Sequence, residues 1–325
     1  MATIHDVAKM AKVSVTTVSR VLNNRGYISE TTRNKVFQTM KELNYQPNEL
    51  ARSLLRKQSN VIGLIIPNVA HPFFAELASH VERYAYENGY KIMLCNSHLD
   101  PVKEKEYIDM LKRNRVDGII MGSHTLEVKE YKELHSPIVT IDRQISEEIP
   151  FISSDNYEGG RLAAQLLVDK GCRKIAHICG NLELQLLANQ RTAAFRDVMA
   201  ENEIEPIIIQ TDMNVFDEQQ YEQIMSRLFA EHPEIDGLFA TSDIIASFAV
   251  KECRKADKHI PEQIKIVGYD DVSAANWITP SLTTIRQPIA EIGRVAVDSI
   301  IRQMNNEPLE HRYVLEVELV ERLTT

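Results

Sequence analysis

Two groups of side chains have types and spacings suited to recognition chemistry. The first is Val15, Thr16, Thr17 and Arg20. It offers a small apolar group, hydroxyls and a guanidinium, which are the groups that touch thymine methyls, phosphate oxygens and guanine edges. The second group consists of Asp142, Asp243, Asp270 and Arg191 with the aromatics Phe73, Phe216 and Trp277, set at or near the ends of apolar runs. Carboxylates accept hydrogen bonds from hydroxyls and aromatic rings cover apolar ring faces, so together they suit a sugar-like ligand. Asn68, His71, Asn96, Arg143, Ser242 and Asp271 fall at similar run ends. Singly, each reads first as a helix cap or a solvated surface group, and only the shared placement argues for a site.

Catalysis has little support in the sequence. There is no Walker-A loop, GxGxxG, HExxH or GxSxG. His71 has no evident nucleophile beside it, and the Gly159-Gly160 pair reads as close packing rather than anion binding. No catalytic residue, metal or cofactor is expected.

The first group must be presented by short helices. Thr3 is a suitable N-cap for a helix with Ile4, Val7, Ala8 and Ala11 on one face, and Lys12 and Val13 form a break. Ser14 then caps a second helix in which Val18, Val21 and Leu22 face inward while Val15, Thr16, Thr17 and Arg20 face outward. A Gly-containing loop with Tyr27 at its centre leads to a third helix starting at Ser29 or Thr31, with Val36, Phe37, Met40 and Leu43 on one face. Three such helices make a small DNA-binding unit that closes at Pro47. Charge agrees: residues 1–60 hold ten Lys or Arg against four acids, +6, whereas the chain as a whole carries −9, leaving −15 for the rest. A basic head on an acidic body is expected when only the head meets phosphate.

The second group needs a different scaffold. From residue 60 onward, apolar runs at 61–68, 91–97, 117–123 and 137–142, then at 174–180, 206–211, 236–242 and 264–271, alternate with helix-like segments. Strands apolar on both faces belong to parallel sheets covered by helices, and two series imply two α/β subdomains. Ligands of such sheets bind beyond the carboxyl ends of the strands. Between head and body, residues 48–59 place Leu54 and Leu55 among charged residues. That segment reads either as a linker or as a hinge helix whose leucine wedges into the minor groove.

No apolar run reaches membrane-spanning length and the N-terminus lacks the apolar core of a signal peptide, so a soluble, cytoplasmic protein is expected. Cys95, Cys172, Cys179 and Cys253 form no CxxC pair and read as reduced core thiols.

The stretches ATIHDVAKMAKVSVTTVSRVLN, YISETTRNKV, ELNYQPNELARSL, VDGIIMGS, DNYEGGRLAAQLL, IVGYDD and PSLTTIRQP resemble, in order and along the whole chain, the LacI/GalR family of bacterial transcription repressors. Several stretches, such as GYISE and IDRQ, look most like sucrose-operon repressors. The resemblance implies an α/β protein with an all-α helix-turn-helix headpiece (1–46), a hinge and linker (47–59) and a core (60–325) with parallel sheets, built like a periplasmic binding protein. Three crossovers would divide the core into an N-subdomain, about 60–158 and 289–318, and a C-subdomain, about 159–288 and 319–325. Carried over by position, Val15, Thr16 and Arg20 would read bases, and Ser14, Thr17, Asn23, Tyr27 and Thr32 would contact phosphates. Leu54 would enter the minor groove with Ala51 beside it, and Phe73, Asp142, Arg191, Phe216, Asp243, Asp270 and Gln287 would contact the effector. The family often has Asn-Asp where this chain has Ser242 and Asp243.

The resemblance further implies near-palindromic operator DNA as one partner and a sugar or sugar phosphate as effector, with a purine corepressor as the alternative. Tetrameric members carry a leucine-heptad tail, and the chain ends at VELVERLTT, so a homodimer is expected, with residues 74–88 supplying much of its interface. A free-standing sugar-binding protein and a sugar-modifying enzyme are the competing readings. Neither accounts for the basic headpiece.

Overall fold

The computed structural model describes residues 2–46, 58–123, 125, 131, 136–183, 186–211 and 218–325. The chain divides into two units, Met1–Ser59 and Asn60–Thr325.

The first unit contains helices α1 (Ile4–Ala11), α2 (Val15–Leu22) and α3 (Glu30–Glu42). Thr3 caps α1 through a capping box: Asp6 N–H donates to Thr3 Oγ1 at 3.3 Å, and Thr3 N–H donates to Asp6 Oδ2 at 2.8 Å. Lys12 ends α1 in the left-handed region, φ 53°, and turns the chain into α2. Ser14 and Ser29 cap α2 and α3 by accepting N–H groups three residues on. Val7, Ala8, Ala11, Val18, Val21 and Val36 form the buried core. One expectation needs correction: Phe37 is exposed, whereas Thr39 is buried and donates to Lys35 O at 2.9 Å. Val36 already occupies the inward stripe, and the next residue lies about 100° round the helix.

The second unit holds β1 (Val61–Ile66), α4 (Pro72–Glu87), β2 (Lys91–Asn96), α5 (Pro101–Arg113), β3 (Gly118–Met121), β4 (Ile138–Ile141) and β5 (Phe151–Ser154). It continues with α6 (Asn156–Asp169), β6 (Ile175–Cys179), α7 (Gln190–Glu201), β7 (Ile207–Gln210), α8 (Glu218–Glu231), β8 (Gly237–Ala240), α9 (Asp243–Lys255) and β9 (Lys265–Asp270). Last come β10 (Thr283–Arg286), α10 (Ile289–Asn305), β11 (Arg312–Leu315) and β12 (Glu318–Val320). These strands form two six-stranded sheets, ordered β11-β5-β4-β3-β1-β2 and β12-β10-β9-β8-β6-β7. The paired strands are parallel except β12, which runs antiparallel to β10.

The chain passes between the sheets three times: after β5, after β10 through Gln287 and Pro288, and between β11 and β12 through Glu316 and Val317. Each subdomain therefore has its own core. Leu77, Val81 and Ala85 of α4 pack with Ile292, Val295, Ala296 and Ile300 of α10 over the first sheet. Ala163, Ala164 and Leu167 of α6 pack with Phe195 and Met199 of α7 beside the second. Strands β5 and β10 lie outside the eight apolar runs because buried Ser153, Ser154, Thr283 and Thr284 interrupt the hydrophobic signal, and β11 and β12 do so because they are short edge strands with partly exposed residues. The four cysteines are buried thiols.

Among the described residues, no helix is long and apolar enough to cross a membrane, and no cluster of three or more His, Cys, Asp or Glu could hold a metal ion.

Candidate DNA-reading surface and effector cavity

On the headpiece, Thr16 and Arg20 are exposed on α2. Val15 is half-buried and packs against the headpiece core, leaving part of its side chain outward. Ser14 Oγ accepts the Thr17 N–H at 3.0 Å, and the two hydroxyls lie 2.8 Å apart at the start of α2, where the helix dipole favours an anion. Asn23 donates its amide to Ser19 O at 2.9 Å, and the Thr32 hydroxyl pairs with Ser29 at 2.9 Å. Tyr27 is 96% exposed, so its ring contributes almost nothing to packing within the unit. Ala51 and Leu54 lie outside the described residues.

In the second unit, a cavity of about 420 Å³ opens between the carboxyl ends of the two sheets. Phe73, Asp142, Arg191, Asp270 and Gln287 all line it, although they come from positions more than two hundred residues apart. Asp142 follows β4 with φ 59°, and its Oδ1 accepts Ser153 Oγ at 2.8 Å and Asn156 Nδ2 at 2.7 Å. Asn156 in turn accepts Arg191 Nε at 2.7 Å, while Arg191 Nη1 donates to Thr241 O at 2.9 Å. The guanidinium carbon stands 3.6 Å from the centre of the Tyr269 ring, a cation–π stack that fixes its plane. Across the cavity, Gln287 Nε2 donates to Asp270 Oδ1 at 2.6 Å and Gln287 Oε1 accepts Ser154 Oγ at 2.6 Å.

Burial governs the protonation of this group. Desolvation pushes the Asp270 carboxyl up to about 7, against the opposing pull of Arg191 and the Gln287 hydrogen bond. Desolvation also raises Asp142, again opposed by Arg191 and by its hydrogen bonds. Buried His71, at the cavity wall, is pushed down to about 4 by loss of solvent and is neutral near pH 7.

Several expected side chains are elsewhere. Asp243 does not line the cavity: its carboxylate accepts the Val272 N–H at 2.9 Å and the Thr284 hydroxyl at 2.5 Å. Burial and nearby Asp270 raise its pKa well above the usual range. Its neighbour Ser242, the point of departure from the family pattern, does line the cavity. Trp277 is 77% exposed and is not a wall residue, because the short helical turn Ser273–Asn276 carries it outward. Phe216 lies outside the described residues. Ser153, Asn156 and Thr192 also line or brace the cavity, and their only signal in the sequence is a polar residue in a short strand or helical start. No sequence pattern marks Glu104 either, which is buried behind cavity-lining Thr125 and accepts Ser123 Oγ at 2.6 Å, Thr125 Oγ1 at 2.9 Å and the Tyr131 hydroxyl.

The family "Bacterial regulatory proteins, lacI family" matches residues 3–48 and "Periplasmic binding protein-like domain" matches residues 164–325. A ribose operon repressor of Halalkalibacterium halodurans is 44% identical over 326 aligned residues, covering 100% of this chain and 97% of that protein. The chain belongs to the LacI family. A sucrose operon repressor of Streptococcus mutans is 39% identical over 98% of both chains. The crystal structure of the lac repressor dimer bound to operator and the anti-inducer ONPF is similar with a TM-score of 0.87 and 27% identity, covering 100% of this chain and 99% of that one. This LacI-family chain is accordingly a DNA-binding repressor with an effector-binding core, and not an enzyme.

Proposed function

We propose that the effector is an unphosphorylated sugar held between the two subdomains, and that its binding controls a homodimer's grip on near-palindromic operator DNA in the cytoplasm. The observation that carries this reading is the charge of the wall. Among the described residues lining the cavity, Arg191 is the only Lys or Arg, and it faces two carboxyl groups, Asp142 and Asp270. Among the described lining residues there is no second cation to hold a phosphate dianion, Arg191 already donates to Asn156 and Thr241, and carboxyl groups raised by burial can both accept from and donate to sugar hydroxyls. Phe73, Phe74 and Leu186 supply apolar wall for a ring face. The names of the relatives, ribose and sucrose operon repressors, agree with a sugar.

In this reading Val15, Thr16 and Arg20 touch bases, while Ser14, Thr17, Asn23, Tyr27 and Thr32 hold the backbone. Leu54 of the connecting segment enters the minor groove, with Ala51 beside it. Two-fold symmetric heads suit two half-sites, and the α4 face, with exposed Tyr86, would supply much of the dimer contact. Isothermal calorimetry with D-ribose, sucrose, ribose 5-phosphate, sucrose 6-phosphate and hypoxanthine tests the effector. A free sugar should bind at least tenfold more tightly than its phosphate ester, and preferential binding of an ester or of hypoxanthine would contradict the reading.

A further inference from the structure

Residues 270–273 run from the cavity wall of one subdomain into the apolar core of the other, and each is held by a different partner. Asp270 is tied to Gln287 at 2.6 Å on the second crossover. The Asp271 carboxylate is gripped by Arg286 Nε at 2.7 Å and Arg322 Nη2 at 2.6 Å. Val272 donates its N–H to Asp243, and its side chain is buried among the α4 and α10 residues of the first subdomain. Ser273 donates its N–H to Glu76 Oε1 of α4 at 2.7 Å.

Two consecutive non-glycine residues here have positive φ, Asp270 at 114° and Asp271 at 54°. Such backbone persists only where its surroundings over-determine it. A stretch pinned at four successive residues has little freedom to absorb a displacement of Asp270 internally. A displacement of Asp270 would therefore have to be taken up at Ser273. Electrostatics couples the same ends, since the charge of Glu76 is among the influences that raise Asp270.

We propose that Glu76 is a latch: by accepting the Ser273 N–H it fastens the first subdomain to the 270–273 stretch, so that a ligand hydroxyl at Asp270 resets the angle between subdomains. Glu76 is a positioning residue, acting through Ser273 rather than on the ligand. The proposal rests on reading the cavity as the effector site.

Its test uses the full-length protein as wild type, Glu76→Ala and Glu76→Gln. The amide of Gln keeps an oxygen acceptor at the same reach, whereas Ala removes it. Hydrogen exchange is followed in ligand-free protein over peptides covering residues 270–278, with thermal unfolding as the control for folding. Exchange at Ser273 should accelerate at least tenfold in Glu76→Ala and stay within twofold of wild type in Glu76→Gln. Wild-type exchange in Glu76→Ala, or equal acceleration in both variants, overturns the latch. Calorimetry on the same proteins with D-ribose and sucrose keeps the two readings apart. Absence of binding by wild type counts against the cavity reading alone, and the ligand-free comparison still decides the latch. With the sugar that binds, exchange over residues 80–87 of α4, away from the cavity-lining Phe73 and Phe74, should change in wild type and not in Glu76→Ala. An equal change in both also overturns it.

Discussion

Gly160 of α6 lies directly against the backbone of Arg191 on α7: a Cβ at Gly160 would come within 2.7 Å of Arg191 Cα and closer still to its carbonyl oxygen. Backbone cannot move aside as a flexible side chain can. Close approach of these two helices sets the height of Arg191 over Tyr269 and hence the position of the one described guanidinium in the cavity wall. Gly160→Ala should therefore cost about 1–3 kcal/mol of stability and weaken sugar binding in the molecules that fold. Chemical denaturation and calorimetry read these separately. An unchanged denaturation midpoint with unchanged affinity would contradict the packing argument.

Arg20 is exposed on α2, where it contributes little to the headpiece core. Arg20→Ala should cost on the order of 1–3 kcal/mol of operator affinity and relax preference at one base pair. Fluorescence anisotropy on duplexes varied one pair at a time measures it. Equal loss on every sequence would mark Arg20 as a phosphate contact.

Asp243 is a structural residue on this geometry, its carboxylate joining the start of α9 to Val272 and Thr284. Removing it leaves a buried N–H and a buried hydroxyl without that acceptor, at about 1–3 kcal/mol each. Asp243→Ala should lower the melting temperature, while the folded fraction keeps its direct cavity contacts. A specific loss of sugar affinity at full stability would return Asp243 to the cavity.

Asp270 gives a pH dependence with a definite sign. Its carboxyl is held at about 7 in the folded protein, against about 3.9 for an unperturbed aspartate. Between those values the folded state binds more protons than the unfolded state, so this residue's contribution to stability falls as pH rises from about 4 to 7. Asp270→Asn cannot titrate and should lose that part of the slope. Denaturation at a series of pH values tests it, and parallel wild-type and variant profiles would contradict the burial argument.

Much of this architecture was legible in the chain because it is written in apolar periodicity. The eight runs that predicted strands correspond to β1–β4 and β6–β9, and Thr3 and Ser14 cap the helices their side chains suggested. Carboxylates at strand ends pointed to the cavity for the same reason, since Asp142 and Asp270 directly follow or end strands. What escaped reading depended on direction rather than position. Asp243 starts a helix beside the cavity yet turns to Thr284, and Trp277 follows a strand end yet is carried outward by one helical turn. Phe37 failed similarly, being one residue off the inward stripe of α3. Asn156 and Glu76 act only through partners that the fold brings together, and no local pattern announces them.

A sugar bound at Asp270 is expected to change operator binding. Fluorescence anisotropy of full-length protein on a duplex selected from random sequence, titrated with the sugar identified by calorimetry, tests it directly. The wild type should change its DNA affinity by roughly 5- to 150-fold on saturation with sugar, the range of a coupling of about 1–3 kcal/mol. Asp270→Ala should bind the same duplex without responding. An Asp270→Ala protein that responds to the sugar as the wild type does would contradict the account.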